Sequence, residues 1–182
     1  MSVIVVTGIP GVGKTTVMKK AAEGMDIQFV TFGTVMSEIA IETGLVKDRD
    51  EMRKLSLDQQ KELQIKSAEK IASMENVILD THCTVKTPKG YMPGLPEWVI
   101  KKLNPTAIVV VEADPEEIYN RRAGDASRNR DPDTKEQINE HQMVNRAVAM
   151  AYAALSGATV KIVFNHDNAI AAAVEQAAPV LK

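Results

Sequence analysis

The chain has 182 residues, of which 45% are hydrophobic and 25% charged. That is enough for one α/β domain with a sizeable core and too little for two ordinary ones. The net charge of −2 argues against a nucleic-acid binder, which presents a basic face, but leaves room for a local pocket that holds a small polyanion.

The single cysteine, Cys83, excludes an intrachain disulfide and a Cys-rich zinc site. Met1-Ser2-Val3-Ile4 carries no basic n-region, and the apolar run that follows Ser2 is too short for a signal peptide or a membrane span. The expectation is a cytoplasmic protein without membrane contact.

Strand-like runs at residues 2–7, 28–31, 77–80, 107–112 and 159–165 are rich in Val and Ile and short enough for buried parallel strands. Helical patterns occupy residues 13–24, 34–44, 50–73, 96–103, 115–122, 134–155 and 168–180. Asp114 before Pro115 reads as an N-cap with proline at the first helical position, and Asp133 or Thr134 caps the long helix that follows. The alternation predicts an α/β fold with a five-stranded, mostly parallel sheet and helices on both faces; the motif Gly8-Ile9-Pro10-Gly11-Val12-Gly13-Lys14-Thr15 makes it the P-loop NTPase kind. Ligands in such sheets sit beyond the carboxyl ends of the strands. The charged insert at 31–75 reads as a mobile subdomain of this single domain.

The strongest motif is Gly8-Ile9-Pro10-Gly11-Val12-Gly13-Lys14-Thr15, which matches G-x-x-x-x-G-K-[ST] between a strand and a helix. Its glycines let backbone N–H groups turn around phosphate oxygens, and the helix N-terminus adds partial positive charge. Lys14 is the candidate for the β- and γ-phosphates and the Thr15 hydroxyl for Mg²⁺; Thr16 completes the nucleotide-binding set. Asp80 ends a strand where an acidic side chain holds Mg²⁺ or its water, although a strand-end Asp also caps turns. Thr81 follows it in place of the water-activating Glu of many ATP hydrolases, which favours transfer to another acceptor. Asn165-His166-Asp167-Asn168 lacks the Asn-Lys-x-Asp pattern of guanine recognition.

After the fourth strand, Arg121, Arg122, Arg128 and Arg130 form a short basic segment with Gly124 and Pro132 as breakers. Phosphoryl transfer needs positive groups around the migrating phosphoryl and exclusion of water. Pairing with Asp125 and Asp131 in a solvated loop is the plainer reading of the same residues.

Together with Phe32-Gly33-Thr34-Val35-Met36, Leu79-Asp80-Thr81-His82, the string from Lys86 to Pro96, Glu140-His141-Gln142-Met143-Val144-Asn145-Arg146 and Gly157-Ala158-Thr159-Val160-Lys161-Ile162, these elements resemble the archaeal-type adenylate kinases over essentially the whole chain. The resemblance implies an AMP-binding insert at about 31–75 and a lid at about 124–132. It places Gly33, Thr34 and Met36 near AMP, makes Arg53 a candidate for the AMP phosphate, and sets Arg121, Arg128 and Arg130 around the phosphoryl groups. It also implies ATP and Mg²⁺ as cofactors, AMP and ATP/ADP as small-molecule partners, and a homotrimer. The short lid has no cysteines for a zinc staple, and Lys86 and Lys89 stand where the bacterial type has a Gly-Phe-Pro-Arg string.

The remaining features read first as structural. His82 and Cys83 are loop-packing residues, because in-line transfer needs positioning more than a base. His141, Asn145 and Arg146 either reach the site or lie on a polar surface, and Arg53 alternatively pairs along its own helix with Asp50. The reading is reversible transfer from MgATP to AMP giving two ADP. Its rivals are a CMP, UMP or shikimate kinase on the same fold and a nucleotide-binding regulatory ATPase.

Overall fold

A computed structural model describes residues 2–124 and 133–181. In chain order the elements are β1 (Val3–Thr7), α1 (Lys14–Ala21), β2 (Gln28–Thr31), α2 (Phe32–Glu42), a 3₁₀ turn (Arg49–Lys54), α3 (Leu57–Ala72), β3 (Val77–Asp80), β4 (Thr84–Thr87), β5 (Gly90–Pro93), α4 (Glu97–Leu103), β6 (Ala107–Glu112), α5 (Pro115–Ala123), α6 (Lys135–Ser156), β7 (Thr159–Phe164) and α7 (Ile170–Ala177), closed by a 3₁₀ turn (Ala178–Leu181).

Five strands form one sheet in the order β2-β3-β1-β6-β7, and every pairing in it is parallel. Successive side chains of a strand point to opposite faces. Val3 and Val5 of β1 therefore join Phe32, Ile39, Leu63, Ile71, Ile100 and Tyr152 on one side. Ile4 and Val6 join Val17, Met18, Ile118 and Ala173 on the other. The inner faces of α2 and α3, which lie in the insert that the sequence reads as a mobile subdomain, are built into the first of these layers.

Local chemistry explains where the helices begin. Ser56 with Gln59, Asp114 with Glu117, and Thr134 with Gln137 each form a reciprocal capping box. A cap of this kind is worth about 1 kcal/mol. Thr134, not Asp133, caps α6, and Pro115 occupies the first turn of α5. The Ser56 box also corrects the continuous helix expected at 50–73: the chain makes a 3₁₀ turn, extends at Leu55 and Ser56, and starts α3 afresh.

The antiparallel hairpin β4–β5 was not foreseen. It packs on α6: Thr84 donates to Asn145 Oδ1 at 2.6 Å and contacts His141 Nε2 at 3.0 Å, and Tyr91 donates to Glu140 at 2.9 Å. Because the Thr84 hydroxyl proton goes to Asn145, His141 carries its own proton on Nε2 and donates. At the hairpin's exit a β-carbon on Gly94 would lie 1.9 Å from the His82 carbonyl oxygen. Only glycine lets the strand end close onto the loop after Asp80.

Candidate nucleotide site

The register of the sheet builds the site. β1 lies between β3 and β6, so the chain leaves it at the point where the strand order reverses, and Asp80 at the end of β3 sits opposite Val6 of β1 and Thr31 of β2. This is the crevice in which open α/β sheets bind ligands. The loop from Gly8 to Gly13 turns there into α1, whose start has no side-chain cap and no acidic residue in its first turn. Gly13, with φ of 79°, supplies the left-handed conformation that ends the loop.

Three motif residues meet at this point. Lys14 Nζ lies 3.1 Å from Asp80 Oδ1, and the Thr15 hydroxyl donates to Asp80 Oδ2 at 2.8 Å. Asp80 is only 8% exposed, so both its oxygens are engaged out of bulk water. Burial, reinforced by the Lys14 charge and opposed by Asp80, holds the neighbouring His82 imidazole below its usual pKa and favours its neutral form.

A cleft of about 670 Å³ opens over these groups. This lies within the range of about 300–1,000 Å³ common for ligand pockets. One wall comes from the loop and Lys14, Thr15 and Thr16, another from Thr31, Gly33 and Arg49, and a third from Arg121 and Arg122. Arg121 donates from Nε to Asp167 and from Nη2 to the Asn165 carbonyl, each at 2.8 Å. Its Nη1 is buried and, among the described residues, has no hydrogen-bond partner. Arg122 donates from Nε to the Pro10 carbonyl and from Nη1 to Asp133, also at 2.8 Å each. Lys86 shares that carboxylate at 2.7 Å.

Of the other expected residues, Ile9, Pro10 and Gly11 line the cleft with Gly13, whereas Val12 is buried beneath it and Gly8 packs against the Val111 carbonyl. Gly33 lines the cleft, Thr34 is exposed beside it, and Met36 packs against the core. Arg53 is exposed on its 3₁₀ turn and does not line the cleft; Arg49, at the start of the same turn, does. Arg128 and Arg130 lie outside the described residues, as does the expected lid apart from Gly124. His141 and Asn145 are buried against the hairpin, with His141 on a smaller adjoining cavity of about 220 Å³. Arg146 forms a two-point pair with Glu112, at 2.7 and 2.5 Å, away from the main cleft.

Sequence reasoning missed Arg49 and Asn165, and it saw Arg122 only as part of a basic string. Arg122 and Asn165 act on backbone carbonyls of the loop from distant elements, which no local motif encodes. Arg49 carried a usable signal, as a cation in the insert close after α2.

A phosphate loop on a parallel sheet, with a part-buried Lys–Asp–Thr cluster and flanking arginines, defines the P-loop kinase class. A family model described as an AAA domain matches residues 7–139. Solved shikimate kinases share the fold: that of Bacteroides thetaiotaomicron superposes with a TM-score of 0.57 at 15% identity, covering 99% of this chain and 98% of that one. That of Acinetobacter baumannii gives 0.59 at 17%, covering 100% and 91%. In sequence the chain is similar to the adenylate kinases of Methanococcus vannielii (52% identity, covering 100% of this chain and 98% of the relative) and Methanothermobacter thermautotrophicus (51%, covering 100% of both). That of Methanocaldococcus jannaschii matches at 51% identity, over 99% of this chain and 98% of its own length. The chain belongs to the archaeal adenylate kinase family, and adenylate kinase activity is the function that this membership carries.

Proposed function

We propose that the chain transfers the γ-phosphoryl group of MgATP reversibly to AMP, giving two ADP. The observation that carries this reading is the shape of the cleft: the Lys14–Thr15–Asp80 cluster lies between a wall bearing Arg49 and Gly33 and a wall bearing Arg121 and Arg122. That arrangement suits two phosphorylated ligands meeting over one lysine.

Phosphoryl transfer asks for positioning and charge neutralisation more than for covalent chemistry. Lys14, oriented by Asp80, meets the donor phosphates together with the loop amides. Arg121 and Arg122 oppose charge that builds on the equatorial oxygens, and Arg128 and Arg130 are assigned the same work from the sequence. Arg49, with Gly33 and Thr34, faces the acceptor. The segment 124–132 acts as the lid and 31–75 as the acceptor-binding insert.

The Thr15 hydroxyl and the Asp80 carboxylate are hard oxygens 2.8 Å apart, a pair that fits Mg²⁺. Among the described residues no group of three or more His, Cys, Asp or Glu forms a metal cage. This suits an ion held by one carboxylate and the substrate phosphates. Thr15 and Asp80 would hold the ion, which when bound would supply positive charge against the donor phosphates.

The outer face of α6 exposes Met143, Met150 and Leu155, and β7, an edge strand, ends in exposed Phe164. These apolar surfaces support the homotrimer, which light scattering tests directly. No described helix is long and apolar enough to cross a membrane. The cytoplasm is the compartment we assign.

A coupled assay of ADP formation with MgATP against AMP, CMP, UMP, GMP and shikimate tests the function. ADP formation that depends on AMP supports it. Hydrolysis indifferent to any acceptor, or a preference for another one, overturns it.

A further inference from the structure

We propose that Asn165 is a positioning residue for the phosphate-binding loop: it pins the Val12 carbonyl so that the Gly13 N–H of the same peptide faces the bound phosphate. The inference rests on the loop's reading as the donor-phosphate site.

Asn165 directly follows β7 and is 8% exposed. Its backbone is committed on both sides: its N–H donates to the Glu112 carbonyl at 2.8 Å, and its carbonyl accepts from Arg121 Nη2 at 2.8 Å. The residue is thus fixed between two strand ends and α5. Its side-chain Nδ2 reaches across to the loop and donates to the Val12 carbonyl at 2.8 Å. The opposite amide orientation would set oxygen against oxygen, so the carbonyl dictates which way the amide points. The fit is close, because a β-carbon on Gly13 would lie 2.6 Å from Nδ2.

A trans peptide unit is planar, with its C=O and N–H pointing in opposite directions. Pulling the Val12 carbonyl toward Asn165 therefore sends the Gly13 N–H the other way. Gly13 lines the cleft and Asn165 does not, so that direction is toward the cleft. Arg122 Nε makes the parallel bond to the Pro10 carbonyl two residues earlier and fixes the Pro10–Gly11 peptide in the same manner. Among the described residues, neither the Gly11 nor the Gly13 N–H has an acceptor. Two donors outside the motif thus hold alternate carbonyls and leave the intervening amides for an anion. This pre-organises a concave set of N–H groups, which otherwise pays in ordering when phosphate binds.

The side chain must donate to Val12 and be short. Asn165→Asp meets the second condition always and the first only when protonated. The experiment is a titration of wild type, Asn165→Ala and Asn165→Asp with pyrophosphate, by calorimetry at pH 8 and pH 5, alongside kcat and KM for MgATP. At pH 8 both variants should bind pyrophosphate about tenfold or more weakly than wild type, as expected for loss of a buried hydrogen bond. At pH 5 the Asn165→Asp deficit should shrink, because burial against the Val12 carbonyl oxygen disfavours the ionised carboxylate and lets the protonated carboxyl donate an O–H to Val12, while the Asn165→Ala deficit should not.

Folded variants that bind as wild type does at pH 8 overturn the proposal. So does an Asn165→Asp deficit unchanged at pH 5, which assigns the residue to packing alone. If both variants fail to fold, wild type still decides: the Gly13 amide proton should move downfield when pyrophosphate is added, and an unmoved resonance refutes the assignment. Pyrophosphate involves no acceptor nucleotide. A wild-type enzyme that ignores AMP would therefore sink the adenylate kinase reading and leave this result standing.

Discussion

Replacing Lys14 with alanine removes the cation at the centre of the cleft and releases Asp80 from its nearest charge partner. Lys14 Nζ and Asp80 Oδ1 are 3.1 Å apart with side-chain exposures of 17% and 11%. At an effective dielectric of about 20 their gross attraction is of order 5 kcal/mol. After the substitution the carboxylate keeps the Thr15 hydroxyl but faces the incoming phosphates uncompensated. On the proposed mechanism the lost cation acts mainly on charge that develops in transfer, and removal of one such group costs about 100- to 1,000-fold in kcat. The bare carboxylate should in addition weaken MgATP binding. Adding Asp80→Asn to Lys14→Ala should then recover part of the binding and little of the rate. The assay is coupled ADP formation, with denaturant unfolding to confirm the fold and calorimetry for MgATP. A Lys14→Ala enzyme within a factor of about three of wild type in kcat/KM would refute the role, because that is less than one ordinary hydrogen bond.

Arg49→Ala should raise KM for AMP at least about tenfold, as loss of a charged phosphate contact does. Arg53→Ala should change it little, since its side chain is exposed and off the cleft; steady-state kinetics with AMP varied checks both, and the reverse order would restore Arg53. Tyr152, its hydroxyl pushed up to about 12 by burial, donates to the Cys83 carbonyl and accepts from the Leu95 N–H. Tyr152→Phe leaves the Leu95 N–H unpaired, while the Cys83 carbonyl keeps the Gly94 N–H, and should cost about 1–3 kcal/mol in urea unfolding; a change below about 0.5 kcal/mol would contradict the bonding. Burial pushes the Asp133 pKa up, but hydrogen bonds and charge from Lys86 and Arg122 outweigh it and set the carboxyl below its usual value. A depressed folded-state pKa stabilises above the unfolded value, near about 4, and the gain disappears as pH falls through the folded value. The melting-temperature gap between wild type and Asp133→Asn should accordingly hold from pH 8 down to about 5 and close below about 4; a gap that widens in acid would reverse the sign.

The strands were legible because buried parallel strands are unbroken runs of β-branched residues. Those at Gln28–Thr31, Val77–Asp80 and Ala107–Glu112 coincide with expectation, and the first and last strands in the chain differ by a single residue each. The hairpin was not legible. Thr84–Thr87 and Gly90–Pro93 are four residues each, flank Pro88 and lack alternation; they persist through His141, Asn145 and Tyr152, which lie about sixty residues away. The break before α3 did carry a signal, Ser56-Leu57-Asp58-Gln59, which the continuous helical pattern masked. In the site, Lys14, Thr15 and Asp80 were readable because a phosphate loop constrains residue types at fixed spacing. Asn165 was not, because a side-chain amide directed at a main-chain carbonyl leaves no pattern beyond its own identity.

Cys83 is the protein's sole cysteine, 1% exposed beneath the hairpin, with its Sγ 3.4 Å from the Asn145 carbonyl and its pKa pushed up to about 12 by burial. A thiol so placed is inert to disulfide reagents until the hairpin lifts from α6. The molecule therefore carries a built-in stopwatch. The rate at which a reagent such as a nitrobenzoate disulfide labels the native protein counts openings of the loop beyond Asp80. Comparing that rate with and without nucleotide would measure, without any engineered probe, how far ligand binding tightens the layer on which the Asp80 carboxylate rests.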